Sequence, residues 1–217
     1  MTHYPVFLEL AGRRCVVVGG GAVAEAKLPG LLAADAAVTV IAPRLTPGLE
    51  ALRAAGRLLH CARSYVPGDL AGAQLVISAA NDRAVNAAVW AEANARGIWV
   101  NVVDDPPHCS FIAPSIARRG DLTVAVSTGG KAPSLAVRVR EQIEGLLGDE
   151  HARFLELAGA LRQPLAERYP VFEQRKRLWY ALVDSDILAL LREGDEAGAR
   201  ARIASLTGVD LLAADPV

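Results

Sequence analysis

The feature that most constrains this chain is a short apolar run that ends in glycine. Arg14-Cys15-Val16-Val17-Val18 is β-branched and apolar, and Gly19-Gly20-Gly21-Ala22-Val23-Ala24 comes directly after it. A run apolar on both faces reads as a buried strand of a parallel sheet, because helices must cover both sides of such a sheet. The glycine stretch fits G-x-G-x-x-A and leads into helix-forming residues. Gly19 permits the tight turn, Gly21 lets the backbone approach a pyrophosphate, and Ala24 lets the helix pack close to the sheet. A diphosphate there meets free N–H groups and the positive end of the helix dipole. The alternative is a glycine turn in an α/β protein that binds no nucleotide. The position, the flanks and the N-terminal placement all favour the dinucleotide, with residues 19–24 as its cradle.

The rest of the first half alternates as the first strand demands. Residues 22–34 read as a helix, kinked or broken at Pro29. Residues 37–41 read as a strand, 49–55 as a short helix and 58–61 as a third strand. Residues 75–79 and 98–102 are strands around a helix at 85–96, which Gly97 closes. Short apolar runs alternating with helices mean an α/β domain with a parallel sheet. The pattern changes after Pro106-Pro107. Residues 111–117 and 122–127 read as an antiparallel pair, joined across Arg118-Arg119-Gly120-Asp121. From Ser134 onward the spacing is helical, over 134–147, 150–169, 171–183 and 187–206. The expected division is an α/β domain over 1–112, a small antiparallel and helical segment over 113–148, and an all-helical domain over 149–217. The tail, 213–217, is expected to fray.

Composition bounds the partners. Lys and Arg number 23 against 24 Asp and Glu, a balance that does not point to a general nucleic-acid or membrane-surface binder. Three widely spaced cysteines, Cys15, Cys61 and Cys109, imply no disulfide framework. The first residues lack the basic start and apolar run of a signal peptide, and no stretch reaches the roughly 18 apolar residues of a bilayer span. These features read as a cytoplasmic protein with neither nucleic acid nor membrane as partner.

Three further stretches carry chemistry. The second strand ends at Ile41-Ala42-Pro43-Arg44, without the acid that normally holds the adenosine ribose. Arg44 taken alone favours a 2′-phosphate, hence NADP; it also reads as a plain solvated residue, with Pro43 and Arg44 holding the adenosine through their backbone. Asp104-Asp105-Pro106 comes after the strand ending at Val102, at the carboxyl edge where open sheets bind ligands. Two carboxylates there serve as a general base or a cation site, or simply as an Asx-Pro turn. His108 reads as a loop residue and Cys109 as buried, and tight four-ligand metal spacing is absent, so no residue is assigned to a metal. Ser127-Thr128-Gly129-Gly130-Lys131-Ala132-Pro133-Ser134 precedes a helix and suits a carboxylate or phosphate. Its alternative is a capped helix start, with Ser134 as N-cap or Pro133 in the first turn.

Taken together these residues resemble the precorrin-2 dehydrogenase/sirohydrochlorin ferrochelatase family, the N-terminal module of siroheme synthase. The match runs through Tyr4-Pro5-Val6-Phe7-Leu8, the glycine turn, Ser78-Ala79-Ala80-Asn81-Asp82, Asn101 to Pro106, Phe111-Ile112-Ala113-Pro114-Ser115 and Ser127 to Ser134. Arg175-Lys176-Arg177-Leu178-Trp179 is similar to that family's C-terminal part. The chain departs from the pattern at Pro107-His108 and at Glu25-Ala26-Lys27. The resemblance implies a Rossmann-type domain at 1–112 followed by a dimerisation segment at 113–148, in a homodimer. It implies NAD as cofactor, held by Gly19 to Ala24, Pro43, Arg44 and Ala80. It implies oxidation of precorrin-2 to sirohydrochlorin, then insertion of Fe²⁺ as a substrate to give sirohaem. Asp104 is then the catalytic proton acceptor. Asn101, Ser127, Thr128, Gly129, Gly130, Lys131, Ser134 and Arg138 are the substrate contacts, with Arg118 or Arg119 as further anchors. Two alternatives remain: a dehydrogenase without chelatase activity, and a nucleotide-sensing module without catalysis.

Overall fold

The computed structural model describes residues 3–211, and the chain divides into two compact units between Ala113 and Pro114. The expected fraying at 213–217 lies outside the described residues.

The first unit is a five-stranded parallel sheet, β1 (Arg14–Val18), β2 (Ala37–Ile41), β3 (Leu59–Cys61), β4 (Leu75–Ser78) and β5 (Trp99–Val102). Its order is β3-β2-β1-β4-β5, all pairs parallel. Helices α1 (Ala22–Leu32), α2 (Pro47–Ala54) and α3 (Arg83–Ala95) connect the strands. Side chains alternate across a strand, so the central strands feed two cores. Cys15, Val17, Val38, Val40, Leu75 and Ile77 pack with Ala24, Leu28 and Leu31 of α1 and Leu49 of α2. Val16, Val18, Ile41, Val76, Val100 and Val102 pack with Val89 and Ala93 of α3. The chain turns one way from β1 to β2 and the other way to β4, so the topological switch lies beside β1. In-register pairing of Val18 with both Ile41 and Ser78 brings the carboxyl ends of β2, β1 and β4 flush there.

Proline does not break α1, one of the two outcomes expected at Pro29. The helix runs through Pro29 to Leu32, and the Pro29 carbonyl still accepts from the Ala33 N–H at 2.9 Å. A proline loses the bond its missing N–H would have made and crowds the carbonyl four residues before it; the burial of Leu28 and Leu31 on the packed face offsets that cost.

The second unit opens with the hairpin β6 (Ser115–Arg119) and β7 (Leu122–Val126). The first strand begins later than expected, because residues 111–114 are not paired and Pro114 has no donor to offer a ladder. It also runs further, through both arginines, leaving a two-residue loop in which Gly120 takes φ 53°. Positive φ at the first loop position suits a tight hairpin. Helix α4 (Pro133–Leu146) comes next, then α5 (Asp149–Arg168), α6 (Phe172–Val183), α7 (Ile187–Arg192) and α8 (Glu196–Thr207). Leu157, Leu161, Leu165, Leu182, Ile187, Ala199 and Ile203 form a shared core of α5 to α8. The single helix expected over 187–206 is two helices. Gly194 adopts φ 81°, and the Asp195 carboxylate then caps α8 by accepting from the Gly198 N–H at 2.8 Å.

Candidate functional site

The glycine turn forms one wall of a cleft of about 540 Å³ at the switch point. Its other walls are Ile41 to Thr46 after β2, Ala79 to Asp82 after β4, and Ser64, Tyr65 and Val85. The three glycines are required for different reasons. Gly19 has φ 122°, and a Cβ there would meet the Ala79 carbonyl oxygen at 2.5 Å. Gly20 sits so close to the loop after β2 that a Cβ would overlap the Arg44 carbonyl oxygen. A Cβ on Gly21 would meet nothing within 4 Å, because that face opens into the cleft. Gly21 leaves its backbone bare toward the cleft, and it directly precedes the first turn of α1. This cradle fits the diphosphate of a dinucleotide. Ala22 and Val23 line the same cleft, whereas Ala24 is fully buried against the sheet. Pro43, Arg44 and Ala80 line it as well, so all nine proposed cofactor residues except Ala24 border one cavity.

Two supports of this cleft carry no motif. Ser78, fully buried, donates its hydroxyl to Asn86 Oδ1 at 2.7 Å, and the Asn86 amide bonds the Ala80 backbone at both N–H (3.3 Å) and carbonyl (2.9 Å). Asn86 thereby clips the loop after β4 to α3. Glu92, on the same helix, accepts from the Tyr65 hydroxyl at 2.5 Å and from the Gly68 and Leu70 N–H groups at 2.8 and 3.3 Å. Burial pushes the Glu92 carboxyl up, but these donors and nearby Arg96 outweigh it and hold it below the ordinary range. Burial and the Glu92 carboxylate together push the Tyr65 phenol up. Both Asn86 and Glu92 are polar residues inside a predicted helix, which reads as solvated surface until their long-range partners are known.

Asp104 lies two residues beyond β5, exposed, in the left-handed conformation at φ 60°. Such a conformation is uncommon for a residue other than glycine and is best tolerated by Asp and Asn. Asp105 is used differently: its carboxylate lies 2.7 Å from His108 Nδ1, and the His108 ring packs edge-on against Trp90 at 4.6 Å. His108 is therefore a staple within the loop after β5, on a 3₁₀ turn at residues 106–108. Cys109 is only partly buried. Its thiol donates to the Val102 and Asp105 carbonyls at 3.2 and 3.3 Å, and burial raises it above the ordinary range. The Asn101 amide donates to the Phe111 carbonyl at 3.0 Å.

In the second unit, residues 127–134 form a loop with two consecutive left-handed glycines, Gly129 at φ 62° and Gly130 at φ 78°. Thr128 Oγ1 accepts from the Ala132 N–H at 3.2 Å, and Ser127 Oγ accepts from the Gly129 N–H at 3.1 Å. Of the two expected helix starts, Pro133 in the first turn is the one observed. Ala132, not Ser134, is the N-cap, and no side chain caps α4. Lys131 and Ser134 are exposed. Arg138 is exposed too, paired with Glu141 at 2.9 Å. Arg119 is committed to the Leu147 carbonyl at 2.8 Å, so of the two hairpin arginines Arg118 is the freer.

Comparison with known proteins agrees with this geometry. Residues 6–115 match a family described as NAD(P)-binding. Residues 119–146 match the central region of sirohaem biosynthesis proteins, and residues 150–206 match the sirohaem synthase dimerisation region. The chain belongs to this NAD(P)-binding family. Curated relatives include siroheme synthases of Chromobacterium violaceum, 40% identical over 94% of this chain and 43% of the relative, and of Methylobacillus flagellatus, 43% identical over 92% and 43%. The chain thus spans less than half the length of these relatives. Among solved structures, one named SirC, precorrin-2 dehydrogenase, aligns with a TM-score of 0.75 and 28% identity, over 94% of this chain and all of that one.

The sirohaem-family regions track the physical elements. The NAD(P)-binding match ends at the first residue of β6, the central region covers the turn, β7 and α4, and the dimerisation region covers α5 to α8. No helix among the described residues is long and apolar enough to cross a membrane.

Proposed function

We propose that this chain binds NAD in the cleft lined by residues 18–23, 41–46 and 79–82 and oxidises precorrin-2 to sirohydrochlorin. The observation that carries this reading is Gly21, a bare backbone facing an open cleft at the switch point, in a chain that aligns end to end with a protein named precorrin-2 dehydrogenase. NAD, when bound, supplies the hydride acceptor. The chain's residues have two remaining tasks. One is to hold a substrate rich in carboxylates, which suits Lys131, Arg138 and Arg118 together with the N–H groups of the 127–134 loop. Ser127, Thr128, Gly129, Gly130 and Ser134 complete that set. The other is to accept the proton released as the ring system is oxidised. Asp104 is assigned that role, since it is exposed at the carboxyl edge of the sheet while Asp105 is tied to His108.

Insertion of Fe²⁺ into sirohydrochlorin is the second activity we propose, with Asp104 accepting one pyrrole proton, releasing it to solvent, and then accepting the second. The active form is a homodimer. Leu135, Val137 and Leu146 of α4 are exposed apolar side chains that a second copy would cover.

Incubation of the purified protein with NAD and precorrin-2 tests the reading. A product with the absorbance of sirohydrochlorin is expected, and no conversion with either NAD or NADP overturns it. Asp104→Ala is expected to abolish turnover while dinucleotide still binds, and full activity in that variant removes Asp104 from the mechanism. Anaerobic iron insertion, with and without protein, separates a chelatase from a dehydrogenase alone.

A further inference from the structure

The cleft contains one arrangement that neither the glycine motif nor the family regions assign. Dinucleotide folds read the adenosine 2′ position at the end of the second strand, with an acid for a hydroxyl or an arginine for a phosphate. Here that strand end carries Arg44, whose guanidinium makes no hydrogen bond or ion pair among the described residues, and the adjoining Leu45 and Thr46. Thr46 is the N-cap of α2 and accepts from the Leu49 N–H at 3.3 Å. An arginine beside a helix N-terminus is the chemistry that captures phosphate. The position is already taken. Glu25, in the first turn of α1, reaches across so that its Oε2 accepts the Thr46 hydroxyl hydrogen. Its carboxylate lies so close over Gly48 that a Cβ there would overlap it. A negative charge therefore stands at the positive end of α2, bonded to Thr46, which lines the cleft.

We infer that Glu25, held by Thr46 over the α2 N-terminus, selects NAD against NADP by denying a 2′-phosphate the site that Arg44 and α2 would otherwise form. A ribose hydroxyl meets no penalty there, whereas a phosphate meets a fixed like charge and a donor already engaged. Discrimination by a repulsive element needs no acid on the second strand itself, which accounts for the missing ribose carboxylate. The acid is supplied from α1, 21 positions away in sequence from the threonine that holds it.

This inference rests on the reading that the cleft holds a dinucleotide, and the test separates the two. Dissociation constants for NAD and NADP are measured by calorimetry on wild type, Glu25→Gln, and Glu25→Gln combined with Arg44→Ala. Glutamine keeps the size and can still accept from Thr46, so α2 stays capped; circular dichroism checks the fold of each variant. Wild type is expected to prefer NAD. Glu25→Gln is expected to reduce that preference by about tenfold, and the added Arg44→Ala to reverse most of the NADP gain. If Glu25→Gln leaves the NAD:NADP ratio where it was, the inference is overturned while the dinucleotide site stands. If wild type binds neither dinucleotide, both fall.

Discussion

At Gly21 a methyl group would meet no protein atom, whereas at Gly20 it would overlap the Arg44 carbonyl oxygen. The two alanine substitutions therefore fail differently. Gly21→Ala is expected to unfold within about a degree or two of wild type, because an open surface position tolerates the change, yet to weaken NAD binding at least about tenfold by blocking close approach. Gly20→Ala is expected to lower the melting temperature clearly, since backbone rather than a flexible side chain must move. Equal losses of stability in both would contradict this assignment. Glu92 is the other residue whose environment makes a definite demand. Replacing it with Gln leaves the Tyr65 hydroxyl and the Gly68 and Leu70 N–H groups poorly matched, a loss of about 1–2 kcal/mol in urea unfolding at neutral pH. The fold holds the Glu92 carboxyl below its ordinary value. Its contribution is therefore complete above the unfolded carboxyl's titration near about pH 4.3, and it fades as pH falls through the lower folded value. The gap between wild type and Glu92→Gln should narrow below about pH 4; a gap constant with pH would exclude the ionised form as its source.

At the scale of elements, the central strands were legible residue by residue because their cues are local. Arg14–Val18 and Ala37–Ile41 are β-branched runs bounded by glycine or proline, and the strands end where those cues lie. Helix interiors were harder. Pro29 reads as a kink or a break, yet the packed face of α1 carries the helix across it. Helical spacing runs on through Gly194, yet the left-handed glycine and the Asp195 cap begin a new helix there. Periodicity records which residues face a core, and two helices facing the same core share one pattern. Asp195→Ala is expected to cost about 1 kcal/mol in global stability without changing the NAD dissociation constant. No measurable cost would mean the cap is not what starts α8.

For the molecule as a whole, the match to a sirohaem synthase dimerisation region falls on α5 to α8, and α4 beside it in sequence displays Leu146, 74% exposed. Sedimentation equilibrium is expected to show two copies at micromolar concentration, with Leu146→Glu shifting the balance toward one. A wild type that stays monomeric at that concentration would remove the homodimer.

The sequence alone determined that a parallel sheet opens on a glycine turn, that a helical half comes after it, and which family the motifs resemble. Those signals are local, written in β-branching, glycine and spacing over a few residues. Only the tertiary structure decided that Gly20 must be bare for Arg44, that Asn86 clips the Ala80 loop, and that Glu25 answers to Thr46. Glu25 and Thr46 stand 21 positions apart, Glu92 and Gly68 stand 24 apart. The hydrogen bonds that give these side chains their roles exist only once the fold has brought segments distant in sequence together.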